Sequence, residues 1–177
     1  NENPFSNPDK KITHLDTNHR SYSQIIDFNN SVFKFLSKEF INEDYKDDVP
    51  VILVRLNGAI IFAADLLKKL KFNCTITCVK VASYSGTECT KNVQNLIGLN
   101  EDLEGKRVII IEDIVDTGNT YEHLVNMLEC QKVKDIRIAT MTFKPDAYKK
   151  ELPIHYIGLS IPTLFVVGRG LDYDGLG

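Results

Sequence analysis

The sequence predicts an α/β fold in which a central parallel sheet is flanked by helices. Short β-branched apolar runs alternate along the chain with stretches that carry apolar residues at helical spacing. The apolar runs contain few polar positions, as expected of strands that are buried on both faces. Such alternation places helices on both sides of a parallel sheet. Because no linker or internal repeat interrupts the 177 residues, we expect a single domain.

The first half of the chain is predicted to contain two helices and two strands. Residues 1–19 are polar and are expected to form a peripheral arm. Apolar side chains recur at helical spacing through residues 21–40. The continuous apolar run at 49–56 predicts a buried strand, and 59–70 the helix after it. The β-branched run at 75–82 predicts the next strand.

The second half of the chain begins with a loop and then completes the sheet. Residues 84–93 are polar and contain glycine, which is the composition of a long exposed loop. Residues 107–111 predict a strand and 121–130 the helix that follows. Residues 135–142 and 155–160 predict two further strands. Since open parallel sheets bind ligands beyond the carboxyl ends of their strands, we expect the functional site there.

Composition argues against two classes of partner. The formal net charge is −3, and the dispersed basic residues do not form the cationic stripe of a nucleic-acid binder. No apolar run approaches the roughly 18 residues that a membrane span requires, and no secretion signal is expected. The cysteines form no Cys-x-x-Cys pair and suit a reducing compartment, so we expect a cytoplasmic location. They are Cys74, Cys78, Cys89 and Cys130.

Residues 108–120 are the most informative stretch of the chain. Four β-branched residues lead into the adjacent acids Glu112 and Asp113, and the segment then continues with Asp116, Thr117, Gly118, Asn119 and Thr120. A turn between a strand and a helix offers free N–H groups to an anion, and its glycine permits close approach. Acids beside that turn suit sugar hydroxyls or a magnesium ion. We therefore predict a site for a phosphorylated sugar. An ordinary turn capped by Asp116 or Thr117 would explain only one acid and one threonine.

This pattern resembles the phosphoribosyl-pyrophosphate (PRPP) signature of the type I phosphoribosyltransferases. The resemblance extends from about Val51 to Gly177, and residues 161–174 are similar to the purine-binding segment of hypoxanthine-guanine phosphoribosyltransferases, particularly the bacterial ones. It implies the type I phosphoribosyltransferase fold, with a small hood built from the terminal segments. Residues 153–177 would supply the purine-binding part of that hood.

Two further turns match the family. Asn57 and Gly58 resemble its pyrophosphate-binding loop, in which relatives often have a lysine at the first position and a cis peptide at that junction. Arg55 is a candidate to supply the missing charge if its side chain faces the site. Ser83 and Tyr84 begin a segment, 84–97, that resembles the mobile catalytic lid. The alternative interpretation of Asn57 and Gly58 is a simple glycine turn, and that of the segment beginning at Ser83 is an ordinary surface loop.

The resemblance also implies a set of base-recognition residues, Lys144, Phe165, Val166 and Asp172. Lys144 carries donors only, so it favours a carbonyl oxygen over an amino group. Phe165 would stack on the base, and the Val166 carbonyl would accept a hydrogen bond from it. Asp172 would help to hold magnesium. In the simpler alternatives, Lys144 is a solvated lysine at a strand end. Phe165 and Val166 are then core residues, and Asp172 is a turn residue.

Together these residues predict a purine salvage enzyme that makes IMP or GMP from PRPP and hypoxanthine or guanine, with release of pyrophosphate. Residues 117–120 would bind the phosphate, and Glu112, Asp113 and Asp172 would hold Mg²⁺ or the ribose hydroxyls. The resemblance assigns Asp116 as the general base and implies a homodimer or homotetramer. Alternatives are a phosphoribosyltransferase for xanthine or another base and a non-catalytic PRPP sensor.

Overall fold

A computed structural model describes residues 41–80 and 102–163 of the chain. Both ranges belong to one compact unit of the chain. In them, five parallel strands form one sheet in the order β2-β1-β3-β4-β5. The strands are β1 Val51–Arg55, β2 Thr75–Val79, β3 Arg107–Val115, β4 Asp135–Phe143 and β5 Tyr156–Ser160. The helices are α1 Asn42–Asp44, α2 Ala59–Leu67 and α3 Asn119–Cys130. The predicted α/β class with a central parallel sheet is confirmed.

Alternate side chains of β3 pack against helices on opposite faces of the sheet. Ile109 and Ile111 share one buried cluster with Phe62 of α2. Val108 and Ile110 belong to a second cluster that contains the apolar face of α3, namely Tyr121, Leu124, Val125 and Leu128. Burying each aliphatic side chain of this size contributes about 1.5–3 kcal/mol. The two clusters hold β3 at the centre of the fold and fix where its carboxyl end lies.

The amino ends of the strands are joined to the segment around α1 by charged groups. Arg107 lies over the ring of Tyr45, 4.1 Å from its centroid, and one of its nitrogens is 3.3 Å from Asp135. Arg137 pairs with Asp44 at 2.6 Å. The Tyr45 ring is fully buried, and burial raises the pKa of its hydroxyl to about 12. This network lies at the opposite end of the sheet from the predicted site.

Several boundaries differ from the sequence-based expectation. The strand predicted at 107–111 continues to Val115, because β4 pairs with it as far as Phe143. Consequently Glu112 and Asp113 lie on the strand itself and not in the turn after it. The thiols of Cys74 and Cys78 are free, whereas Cys130 is disulfide-bonded, which departs from the expectation of reduced cysteines.

Other predictions fall outside the described residues. They concern the arm at 1–19, the helix at 21–40, the lid at 84–97 and the greater part of the hood segment at 153–177. Within the described ranges, no helix is both long and apolar enough to cross a bilayer.

Candidate functional site

A cavity of about 200 Å³ lies at the carboxyl end of β3. Its lining consists of Arg55, Glu112 and the continuous run of residues 114–121. Asp116 and all four residues of the predicted phosphate turn therefore face the same space as one of the two strand acids. The cavity occupies the position expected for a ligand of a parallel sheet, beyond the carboxyl ends of its strands.

The turn between β3 and α3 leaves the first N–H groups of the helix available. Gly118 is the N-cap residue of α3, with a φ of +86°, and within the described ranges no side-chain capping hydrogen bond is made there. The alternative in which Asp116 or Thr117 caps the helix is therefore wrong. An uncapped helix start with Thr117 and Thr120 hydroxyls beside it offers several donors to a phosphate group.

The segment that follows β4 supports this turn from behind. A Cβ at Gly118 would lie 2.5 Å from Cε2 of Tyr148 and 2.8 Å from Cγ of Lys150. The Lys149 N–H donates to the Thr117 carbonyl at 3.3 Å, and the Lys150 ammonium donates to Glu122 at 2.7 Å. Glycine is required at 118 both by the backbone conformation and by this close packing.

The two strand acids are buried and share one cation. Glu112 and Asp113 are only 3% and 2% exposed. The Arg55 guanidinium lies 3.4 Å from Glu112 and 3.7 Å from Asp113. Burial raises the pKa of Glu112 well above its usual range, and the hydrogen bond with Asp113 adds to the rise, while Arg55 opposes it. The side chains of the two acids nevertheless point in different directions. Of the two, only Glu112 lines the cavity.

Asp113 faces the loop that follows β1. Its Oδ1 accepts a hydrogen bond from the Ile114 N–H at 2.8 Å, and a Cβ added at Gly58 would collide with its carboxylate. The Leu56–Asn57 peptide bond is cis, one bond earlier than the Asn57–Gly58 junction at which the sequence led us to expect it. Gly58 thus packs against Asp113, and neither Asn57 nor Gly58 is among the described residues that line the cavity.

A lysine from β4 reaches the third acid. The Lys144 ammonium donates to Oδ2 of Asp116 at 2.8 Å, and the Lys144 N–H donates to the Val115 carbonyl at 2.9 Å. The lysine is buried, whereas the Asp116 side chain is 44% exposed. Lys144 is not among the described residues that line the cavity, but its ammonium holds the carboxylate of Asp116, which does line it. The predicted residues Ser83, Tyr84, Phe165, Val166 and Asp172 lie outside the described ranges.

Arg55, which the sequence offered only as a candidate to replace the missing lysine charge, does line the cavity. Its position at the end of β1, beside the carboxyl end of β3, follows from the pairing of Val54 with Ile111. The sequence signal was present, since a charged residue ends an otherwise apolar strand directly before the Asn57–Gly58 turn. Only the register of the two strands shows which acids it meets.

Comparison with known proteins agrees with this geometry. The model of the phosphoribosyl transferase domain family matches residues 22–174. A hypoxanthine-guanine phosphoribosyltransferase of Staphylococcus epidermidis is 43% identical over 137 residues, which cover 77% of this chain and 76% of the relative. A crystal structure of a hypoxanthine phosphoribosyltransferase from Staphylococcus aureus superposes with a TM-score of 0.72 at 32% identity, covering 83% of this chain and 80% of the other. A crystal structure of a hypoxanthine-guanine phosphoribosyltransferase from Bacillus anthracis superposes with a TM-score of 0.72 at 30% identity, covering 83% of this chain and 85% of the other.

Proposed function

The chain belongs to the phosphoribosyl transferase family, and on that premise we propose that it transfers the 5-phosphoribosyl group of PRPP to hypoxanthine or guanine. The products are IMP or GMP and pyrophosphate. The observation that carries the proposal is one cavity lined by an uncapped helix start, a buried acid and Asp116, with Lys144 bonded to Asp116. A strand-to-helix turn alone would require neither the buried acids nor the lysine.

The phosphate end of PRPP belongs at residues 117–120. There the free N–H groups of α3, the helix dipole and the two threonine hydroxyls all favour a doubly charged anion. Glu112 is the acid that faces the same space, and its oxygens accept hydrogen bonds from ribose hydroxyls. Asp113 acts behind it by holding the loop at Gly58 against the sheet.

The base is read by the pair of Lys144 and Asp116. Hypoxanthine and guanine present O6, an acceptor, next to N7–H, a donor. The ammonium of Lys144 donates to O6, and the carboxylate of Asp116 accepts from N7–H. Phe165 and the Val166 carbonyl complete base recognition in this proposal, as their resemblance to the family implies.

The reaction is a displacement at the anomeric carbon of the ribose. A purine ring nitrogen forms the new bond with inversion while the bond to pyrophosphate breaks, through a transition state with oxocarbenium character. Asp116 takes the proton from N7 as general base. The lid predicted at Ser83 and Tyr84 excludes water, which would otherwise hydrolyse the activated sugar.

Magnesium suits one of the acids that the structure describes. Mg²⁺ is usually held by one or two carboxylates together with substrate phosphates, and Glu112 is the buried acid that faces the cavity. Asp113, the other ligand expected on β3, faces the loop at Gly58 instead. Asp172 is the third ligand implied by the family resemblance. Within 41–80 and 102–163, no group of three His, Cys, Asp or Glu side chains could hold a metal ion without the substrate. When bound, the ion would neutralise charge on the leaving pyrophosphate.

A comparison of free bases tests the proposal. Turnover with PRPP should be measured for hypoxanthine, guanine, xanthine, adenine and uracil, with release of pyrophosphate as the readout. We expect hypoxanthine or guanine to be used best. Preference for xanthine or for a pyrimidine would favour the alternative enzyme, and PRPP binding without turnover of any base would favour the sensor.

Location and assembly are part of the same proposal. We propose a cytoplasmic enzyme, because its substrates and nucleotide products are those of purine salvage. We also propose a homodimer or homotetramer. Sedimentation equilibrium of the purified chain tests the assembly, and a monomer at all concentrations would contradict it.

A further inference from the structure

We propose that Arg55 binds the pyrophosphate group of PRPP, and that its guanidinium moves from the acid pair to the substrate when PRPP enters. This inference rests on the proposed function, because it assigns a residue to one end of that substrate. It extends the expectation from the sequence, in which Asn57 and Gly58 form the pyrophosphate site and Arg55 is a candidate to supply the charge of the missing lysine. Arg55 stands at the end of β1, two residues before Asn57.

The hydrogen-bonding capacity of Arg55 is incompletely used. Its contacts with Glu112 and Asp113 measure 3.4 and 3.7 Å, longer than the roughly 2.7–2.9 Å of a charge-assisted hydrogen bond. Its Nε is buried and has no hydrogen-bond partner among the residues that the structure describes. A guanidinium carries five N–H donors in a planar fork, and a buried donor without an acceptor is unfavourable. The side chain is therefore held loosely by the acids and retains donors for an anion.

The charges around the cavity also favour this assignment. Among the described residues that line it, Arg55 is the single cation, whereas Glu112 and Asp116 are acids. PRPP carries phosphate groups at both ends of its ribose. The helix start at 117–120 suits the 5′-phosphate without a basic side chain. The other phosphate group needs a cation to offset the acids nearby, and Arg55 is the residue positioned to supply it.

Movement of Arg55 would free the acids at the moment when they are needed. In the structure, the guanidinium lies beside two buried acids. The ribose hydroxyls of PRPP can donate hydrogen bonds to Glu112 and so take the place of the Arg55 guanidinium. One ligand therefore provides both the anion that attracts Arg55 and the donors that replace it.

Calorimetric binding of three probes tests the assignment: PRPP, inorganic pyrophosphate and ribose 5-phosphate, all at one fixed Mg²⁺ concentration. Ribose 5-phosphate contains the ribose hydroxyls and the 5′-phosphate but no pyrophosphate. In Arg55→Met we expect affinity for PRPP and for pyrophosphate to fall about 10- to 100-fold, as for loss of a charged hydrogen-bond donor. Affinity for ribose 5-phosphate should stay within about threefold.

Two further variants complete the experiment. Arg55→Lys keeps the charge but loses the planar fork, so it should weaken pyrophosphate binding less than Arg55→Met does. It also serves as the test if Arg55→Met does not fold, as judged by its thermal transition. Lys68→Met removes an exposed cation that pairs with Asp65 away from the cavity and should change none of the affinities.

Two outcomes would overturn the inference. The first is an equal loss of ribose 5-phosphate and PRPP affinity, which would mean that Arg55 serves the acid pair alone. The second is unchanged pyrophosphate affinity in the Arg55 variant that folds. Because these measurements need no purine base, they remain decisive even if the unmodified protein fails to make IMP or GMP, a result that would count against the proposed function alone.

Discussion

The ammonium nitrogen of Lys144 lies 2.8 Å from Oδ2 of Asp116, although the two residues are 28 positions apart in the chain. Strand register explains the meeting, because Val115 pairs with Phe143 and each of the two residues directly follows one member of that pair. A donor that directly follows β4 and an acceptor that directly follows β3 are thereby held next to each other. We propose that this pair recognises O6 and N7–H of the purine.

The role of Asp116 is tested by its replacement with Asn. The amide keeps the size of the side chain but cannot take a proton from N7. We expect the turnover number of Asp116→Asn to fall by about 10²- to 10⁴-fold while PRPP affinity is largely retained. The measurement is single-turnover kinetics with saturating PRPP, and Asp146→Asn is the control because that carboxylate is exposed. An unchanged chemical step would exclude Asp116 as the general base.

Much of the fold could be predicted because the pattern is local. The β-branched run at 108–111 and the helical spacing of Leu124 and Leu128 are visible in the sequence, and both segments are buried where expected. The end of β3 could not be predicted in this way. Glu112 and Asp113 are poor strand formers, and their place on the strand depends on pairing with β4, a non-local contact.

The site was predictable to a similar extent. The turn at 117–120 could be found because its residue types share one chemistry and are adjacent in the chain. The contact of Arg55 with the two acids could not, because it depends on the register between β1 and β3. The different directions of Glu112 and Asp113 follow from the alternation of side chains along a strand, which becomes apparent only once both are known to lie on β3.

Divalent metal should be required for turnover. Glu112 offers a carboxylate in the cavity, and the leaving pyrophosphate needs charge neutralisation. Excess EDTA should abolish the release of pyrophosphate, and added Mg²⁺ should restore it. Full activity in EDTA would contradict the proposed role of the metal.

Glu112 is expected to reduce stability at neutral pH. Burial raises its pKa well above the usual range, so the folded state favours the protonated carboxyl. The stability it contributes is present below its ordinary pKa and declines as pH rises toward the folded value. Glu112→Gln should therefore raise the melting temperature, by more at pH 8 than at pH 5, while it weakens PRPP binding.

The size of that effect can be measured by calorimetric unfolding. A gain of about 1 kcal/mol corresponds to roughly 2–4 °C in a domain of this size. The exposed Glu151→Gln is the control, and its melting temperature should change equally little at both pH values. A gain that does not depend on pH would show that ionisation of Glu112 is not the cause.

Gly118 is expected to tolerate no side chain. Gly118→Ala imposes a positive φ on an L-residue and brings its Cβ within 2.5 Å of Tyr148. Gly105→Ala is a matched control, because Gly105 also has a positive φ, +71°, but no atom of the described residues lies within 4 Å of its Cβ position. In the control, the free energy of unfolding should fall only by the backbone cost of a positive φ, about 1–2 kcal/mol. Gly118→Ala should lower the free energy of unfolding by more than this, as measured by chemical denaturation, and should also weaken PRPP binding. Equal losses in the two variants would mean that the contact with Tyr148 is easily relieved.

The final prediction concerns the purine that the site refuses. Lys144 presents donors only, and in the proposed function the Val166 carbonyl presents an acceptor. Hypoxanthine and guanine offer O6 as an acceptor and N1–H as a donor, so both contacts are satisfied. Adenine offers a 6-amino donor and an unprotonated N1, so both contacts are mismatched. Unpaired polar groups in a buried site can produce discrimination of about 10⁴-fold or more.

We therefore expect adenine to be a very poor substrate, and we expect Lys144→Ala to impair the use of 6-oxopurines far more than it impairs PRPP binding. The measurement is kcat/KM for hypoxanthine, guanine and adenine in both proteins, with PRPP affinity determined separately. Lys149→Ala is the control, because that residue is exposed on the same segment. Because Lys144 also pairs with Asp116, the variant should lower kcat as well as raise the KM for the base. If adenine matches the 6-oxopurines in the unmodified enzyme, Lys144 and Val166 do not select the base.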